Sequence, residues 1–274
     1  MIVMNESQIE YKDIILPAEI NKYIKGRKYR VDSIGKSGSC VLCFDDMILK
    51  IERRSEEAEN EHRMLKWLYS RLPVPKIIAF HRLRDFNYLL MSRLGGKMAC
   101  SESLLGKPEV LLKALAEGLQ MLWRIDIKSC PYMSNLDNKL GLAAKRVDEG
   151  LCDTYDAEPG TYGPNAFKNP EALLLWLVSN RPEERLVFSH GDFCLPNIFI
   201  KNGQISGFID LGKSGIADIY QDIALCLRSL KNNYSGVYGG MNRGGFNEDL
   251  FFRELGIIPE WDKIRYYILL DELF

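Results

Sequence analysis

The sequence predicts an α+β fold in two parts, a small antiparallel-sheet lobe followed by a larger helical lobe. Three observations carry this expectation. Residues 28–52 form short alternating apolar runs, helical spacing takes over after Met91, and an Asn202-Gly203 turn separates two apolar runs beside a group of acidic residues.

In the first lobe, KYRVDSI, CVLCF and MILKIE read as strands, with the turn Gly35-Lys36-Ser37-Gly38-Ser39 between the first two and Asp45-Asp46 between the next. Residues 56–70 follow as a helix, with Met64, Leu65 and Leu68 at helical spacing and Pro73 and Pro75 beyond its end. Two more strands are expected around Lys76–Phe80 and Asn87–Met91. The division expected is 1–91 for the first lobe, 92–96 for a hinge and 97–274 for the second lobe. In that lobe EVLLKALAEGLQMLWRI and PEALLLWLVS are helical, and 153–169 reads as a loop. Near residue 200 a short hairpin and a helix follow, and a glycine-rich stretch, 236–245, precedes a last helical segment ending YYILLDELF.

Composition narrows the function. At 274 residues and 46% apolar content the chain can bury a real core. It has no run of about 18 apolar residues, and MIVMNESQIEYKD does not read as a signal peptide. The formal net charge of -1 gives no basic footprint for nucleic acid. No membrane or nucleic-acid partner is expected, and monomer and dimer stay open. Seven scattered cysteines read as reduced thiols of a cytoplasmic protein. Cys40 and Cys43 make a CxxC, but no second pair completes a zinc site.

The chemistry is written around the hairpin. Asn-Gly is the strongest short hairpin signal and predicts a type I′ turn. Pairing outward from it gathers Asp192, Asn197 and Asp210 at the open end of the hairpin. An Asp after His190-Gly191 can accept a proton from an incoming hydroxyl. An Asn five residues on can ligate metal, and a second Asp after an apolar strand can bridge metal to phosphate; such hard oxygens suit magnesium. Upstream, strand alternation puts Ile48 and Lys50 on one face, so that Lys50 can reach phosphates while Ile48 covers an adenine. Glu61 lies on the apolar face of its helix, where a carboxylate needs a partner, and Lys50 is the natural one. The loop at 35–39 offers backbone donors and the Ser37 hydroxyl to phosphate. Asp218 is placed to cap the helix that starts at IADIYQD.

Residues Gly207 to Ser214, GFIDLGKS, satisfy the GxxxxGK[ST] phosphate-loop pattern. We read the match as chance, because Phe208–Leu211 look like the end of a buried strand rather than a flexible loop.

The run LVFSHGDFCLPNIFIKNGQISGFIDLGKSGIADIYQDIALCLRSL resembles the aminoglycoside 3'-phosphotransferases, and MLKWLYSRLPVPKIIAF, YLLMS and YYILLDELF extend the likeness over most of the chain. The resemblance implies a two-lobed protein-kinase-like fold with ATP (or GTP) and Mg2+ bound between the lobes, and a small-molecule aminoglycoside as substrate. It implies Asp192 as the catalytic residue, Asn197 and Asp210 as magnesium ligands, Lys50 as the phosphate lysine with Glu61 as its partner, and Ser92 and Leu94 as the hinge positions that meet adenine. The drug would meet acidic groups including Asp156, Glu158, Asp271, Glu272 and the Phe274 carboxylate. Where some members carry an acidic residue in the catalytic loop this chain has Leu195, and where many carry acidic residues just after the later helix it has Lys231-Asn232-Asn233. Two other readings remain: a kinase for another small-molecule hydroxyl, and a nucleotide-binding module without transfer activity.

Overall fold

The computed structural model describes residues 15–31, 39–155 and 157–274. The described residues up to 95, together with 207–212, form one compact unit, and those of 96–206 and 213–274 form the other.

In the first unit, helix α1 (Ala18–Ile24) precedes strands β1 (Arg30–Val31), β2 (Cys40–Cys43) and β3 (Met47–Arg53). Helix α2 (Glu56–Leu68) then leads to β4 (Ile77–Leu83) and β5 (Phe86–Ser92). The antiparallel sheet runs β1-β2-β3-β5-β4. On β3, Met47, Leu49 and Ile51 are buried, while Ile48, Lys50 and Glu52 share the half-exposed face. Leu49, Ile51, Leu42, Leu90 and Ile20 make the core of this unit. On α2, Ser55 caps the first turn by accepting from Ala58 N, and Glu61, Met64, Leu65 and Leu68 face inward. Cys40 is buried and Cys43 half-buried. Three residues apart on one strand, they point to opposite faces, which rules out chelation by this pair alone.

The second unit begins with β6 (Lys97–Met98), the short helix α3 (Glu102–Leu105) and α4 (Pro108–Trp123). It continues through α5 (Leu136–Asp148), α6 (Pro170–Ser179), β7 (Leu186–Ser189), β8 (Ile198–Lys201), β9 (Gln204–Phe208) and β10 (Gly215–Asp218). It ends in α7 (Ile219–Ser235), α8 (Glu248–Leu255) and α9 (Trp261–Asp271). Helix α7 packs on α9 and α4 on α8, and β10 pairs antiparallel with β7. Asp218 caps α7 by accepting from Tyr220 N and also takes Arg185 N. The β8–β9 turn is left-handed at both central residues, with φ of 55° at Asn202 and 78° at Gly203, as a type I′ turn requires. The end of β9 passes into 207–212, so Gly207 and Phe208 are strand residues rather than part of a phosphate loop.

Candidate active site

The first unit assembles a cationic centre on β3. Lys50 Nζ lies 2.6 Å from Glu61 Oε2 on α2, 3.1 Å from Asp210 Oδ1 and 3.4 Å from Glu52 Oε2. Burial pulls the Lys50 ammonium toward losing its proton. The charges of Glu61, Asp210 and Glu52 outweigh it and hold the ammonium well above the ordinary lysine range. Asp210 follows β9 with a left-handed φ of 60°, a conformation that Asp and Asn tolerate better than other side chains. The following turn is tied to α2, where Asn60 Nδ2 donates to the Gly212 carbonyl at 2.8 Å.

Glu52 was not foreseen in this group, although it sits two residues from Lys50 on the same face of the strand. Burial pushes its carboxyl up to about 7, with Lys50 opposing and Glu61 and Asp210 adding to the rise. A carboxyl with a raised folded pKa binds its proton more tightly in the folded state. The stability linked to that proton is therefore present below about 4.5, the unfolded value, and is lost as pH rises through about 7. Glu52→Gln should flatten the fall in Tm between pH 5 and pH 8. An unchanged fall in the variant would exclude Glu52 as its source.

The adenine-facing candidates also lie in this unit. Ile48 sits opposite Met91 in the β3–β5 pairing. The backbone N–H of Ser92 donates to Lys76 O at 2.9 Å, and its hydroxyl accepts from Lys76 N. The Ser92 N–H and hydroxyl oxygen are thus both engaged within the unit. The Leu94 side chain covers Gly207, where an added Cβ would meet it at 2.3 Å. Ser37 lies outside the described residues, as does most of its loop.

The second unit holds the candidate acid–base residue. Asp192 follows β7 in the loop His190-Gly191-Asp192. Asn197 Nδ2 donates to both Asp192 Oδ2 and the Asp192 carbonyl, each at 3.0 Å. These two hydrogen bonds donated by one nitrogen set the amide orientation and leave Asn197 Oδ1 as the atom able to ligate a metal. Gly191 has a φ of 82°, and a Cβ there would fall 2.1 Å from the Lys213 carbonyl oxygen, so only glycine fits. The loop is anchored from α7, where Asp222 accepts from His190 N at 2.8 Å and Gly191 N at 2.9 Å. Asp222 itself is buried, which pushes its carboxyl up against the pull of His190 and these two N–H groups.

Three acidic candidates of this unit, Glu158, Asp271 and Glu272, converge on the guanidinium of Arg228. Arg228 pairs with Asp271, lies 3.4 Å from Glu272 Oε1 and 4.0 Å from Glu158 Oε1. Asn232 Nδ2 also donates to Glu158 at 3.2 Å, and Glu158 N donates to Glu272 at 3.0 Å. Burial works against charge on Asp271, but Arg228 and Lys213 overcome it and hold the carboxyl below its usual value. Three carboxylates thus share direct contact with one guanidinium. The Phe274 ring lies under Lys139 and Arg146, at 5.4 Å and 5.9 Å. Asp156 lies outside the described residues.

This geometry is that of a kinase split over two parts of a chain: a lysine–glutamate pair with a nearby acid, and an Asp–Asn loop after His-Gly. The chain belongs to the phosphotransferase enzyme family, whose family model matches residues 27–267. The aminoglycoside 3'-phosphotransferase of Enterococcus faecalis is 42% identical over 220 residues, which span 80% of this chain and 79% of that protein. The enzyme of the same name from Staphylococcus aureus is 41% identical over 247 residues, 89% of each chain. Among solved structures, an aminoglycoside-3'-phosphotransferase of type VIII superposes with a TM-score of 0.76 at 27% identity, covering 91% of this chain and 94% of its own. An aminoglycoside phosphotransferase of Streptomyces rimosus, solved with ADP and streptomycin, shares the fold at a TM-score of 0.75 and 22% identity, over 92% of this chain and 95% of its own. The chain is thus an enzyme of kinase-like fold. Among the described residues, no helix is long and apolar enough to cross a membrane.

Proposed function

We propose that this enzyme moves the γ-phosphate of ATP to a hydroxyl of an aminoglycoside, at the 3' position. The observation that carries the reading is the Asp192 carboxylate held by Asn197 in the His-Gly-Asp loop of a chain 42% identical to an enzyme with that name. The carboxylates gathered around Arg228 support a cationic acceptor, since an ammonium that meets one gains a charge-assisted hydrogen bond of roughly 1.5–3 kcal/mol.

In this reading Asp192 orients the acceptor hydroxyl and takes its proton as oxygen bonds to the γ-phosphorus. The bond from that phosphorus to the bridging oxygen breaks, and ADP leaves. Lys50 answers phosphate charge, and Glu61 keeps it in place. Asn197 Oδ1 and the Asp210 carboxylate are hard oxygen donors of the kind magnesium takes. When bound, magnesium would neutralise phosphate charge. Seven free thiols and the need for ATP fit work in the cytoplasm, where drug phosphorylation would confer resistance.

The test is ADP release from Mg-ATP, with Mg-GTP in parallel, against a panel of aminoglycosides with and without a 3'-hydroxyl. Turnover confined to drugs that carry the 3'-hydroxyl is expected. Equal turnover on drugs that lack it would remove the 3' assignment, and none on any drug would move the acceptor to another class of hydroxyl compound.

A further inference from the structure

Asp192 has a second donor besides Asn197. Cys194 Sγ lies 2.8 Å from Asp192 Oδ1, while Asn197 Nδ2 serves Oδ2. Each carboxylate oxygen thus has its own hydrogen bond. The backbone leaves Cys194 little freedom to turn away. Its N–H donates to the Asp192 carbonyl at 2.8 Å, and its carbonyl accepts from Asn197 N at 3.0 Å. The next residue, Leu195, is fixed by its N–H to Ser229 Oγ on α7 at 3.0 Å. Leu195 and Phe193, the neighbours on either side, are fully buried, so the loop is pinned to the core on both flanks of the thiol.

The thiol is a donor here. A carboxylate oxygen can only accept, so the proton of this contact is the one on sulfur. It is in no disulfide. A carboxylate that is to collect a proton from an arriving hydroxyl must present one oxygen in a fixed direction. With Oδ2 committed to the amide that also grips the Asp192 carbonyl, Oδ1 is the oxygen left for that task, and the weak S–H donor is the one a hydroxyl can displace.

We propose that Cys194 is a positioning residue for phosphoryl transfer: its S–H holds Asp192 Oδ1 in line until the acceptor hydroxyl takes over that hydrogen bond. The proposal rests on the reading of Asp192 as the base.

Steady-state kinetics of Cys194→Ala, Cys194→Ser and Asp192→Asn test it, together with the infrared S–H stretch obtained as wild type minus Cys194→Ala. Cys194→Ala should lower kcat about 5–10-fold with KM for nucleotide and acceptor little changed, the effect of one modest hydrogen bond on orientation. Cys194→Ser, which keeps a donor, should recover most of that loss. The Cys194 band should sit at the low-frequency, hydrogen-bonded end of the thiol range and rise in Asp192→Ala. A Cys194→Ala enzyme with wild-type kcat, beside an inactive Asp192→Asn, would overturn the role of the thiol and leave the base intact. An active Asp192→Asn would remove the base and this proposal with it. A Cys194 band at the free-thiol position, indifferent to Asp192→Ala, would overturn the proposal whatever the acceptor proves to be.

Discussion

Asp192→Asn is expected to leave nucleotide binding intact and to cut transfer by about 10²–10⁴-fold, the usual contribution of a positioned general base. The substitution is close to isosteric, so the bonds from Asn197 to residue 192 at the carbonyl and side-chain oxygen can persist in shape. An amide, however, has no site for the hydroxyl proton at neutral pH. The loss should fall on kcat, since the acceptor and nucleotide are held by other groups. Nucleotide affinity by calorimetry beside single-turnover transfer separates the two effects. Wild-type transfer by the variant would show that Asp192 accepts no proton in the reaction.

Asp222→Ala should cause the largest loss of stability among single changes near the loop. The carboxylate is buried on α7 and accepts two backbone N–H groups, those of His190 and Gly191. Truncation leaves both donors without this acceptor, though Gly191 N keeps a bond to Ser189 Oγ at 3.0 Å. A buried donor left unmet costs about 1–3 kcal/mol. Relief of the buried charge offsets part of this, because the carboxyl is already pushed up by desolvation. A net loss of about 2–4 kcal/mol should lower Tm by roughly 4–16 °C. Transfer should fall as well, because the same two N–H groups set the peptide that carries Asp192. A Tm within a degree of wild type would show that the loop is anchored elsewhere.

How much of this could be read from the sequence depends on the range of the signal. Strand alternation and helix spacing are local periodicities, and they were enough to bring Lys50 and Glu61 to one place. The Asn202-Gly203 turn is legible because positive φ at both positions is a chemical demand on those two residues. The Asp192–Asn197 contact closes within six residues, so its spacing carries it. Arg228 with Glu158, Asp271 and Glu272 does not, because its partners come from segments 43 to 70 residues away and no period links them. Asp222 did carry a usable sign: it is an acid amid Ile219, Ile223 and Cys226 on a helix side that must be buried, and such an acid needs a partner. Its partners were hidden because they are backbone N–H groups, which every residue other than proline owns. Glu52 was missed although the alternation that placed Lys50 also placed it.

The left-handed backbone at Asp210 bears on how the enzyme can change over generations. Glycine and asparagine settle there readily, but both discard the charge. Glutamate keeps the charge at the expense of backbone strain and a longer reach. Two demands of different origin, one from the peptide and, on the proposed reading, one from the metal, thus select the same residue. Drift at this codon has nowhere to go that keeps both, and lineages that lose the aspartate should lose the activity before they lose the fold.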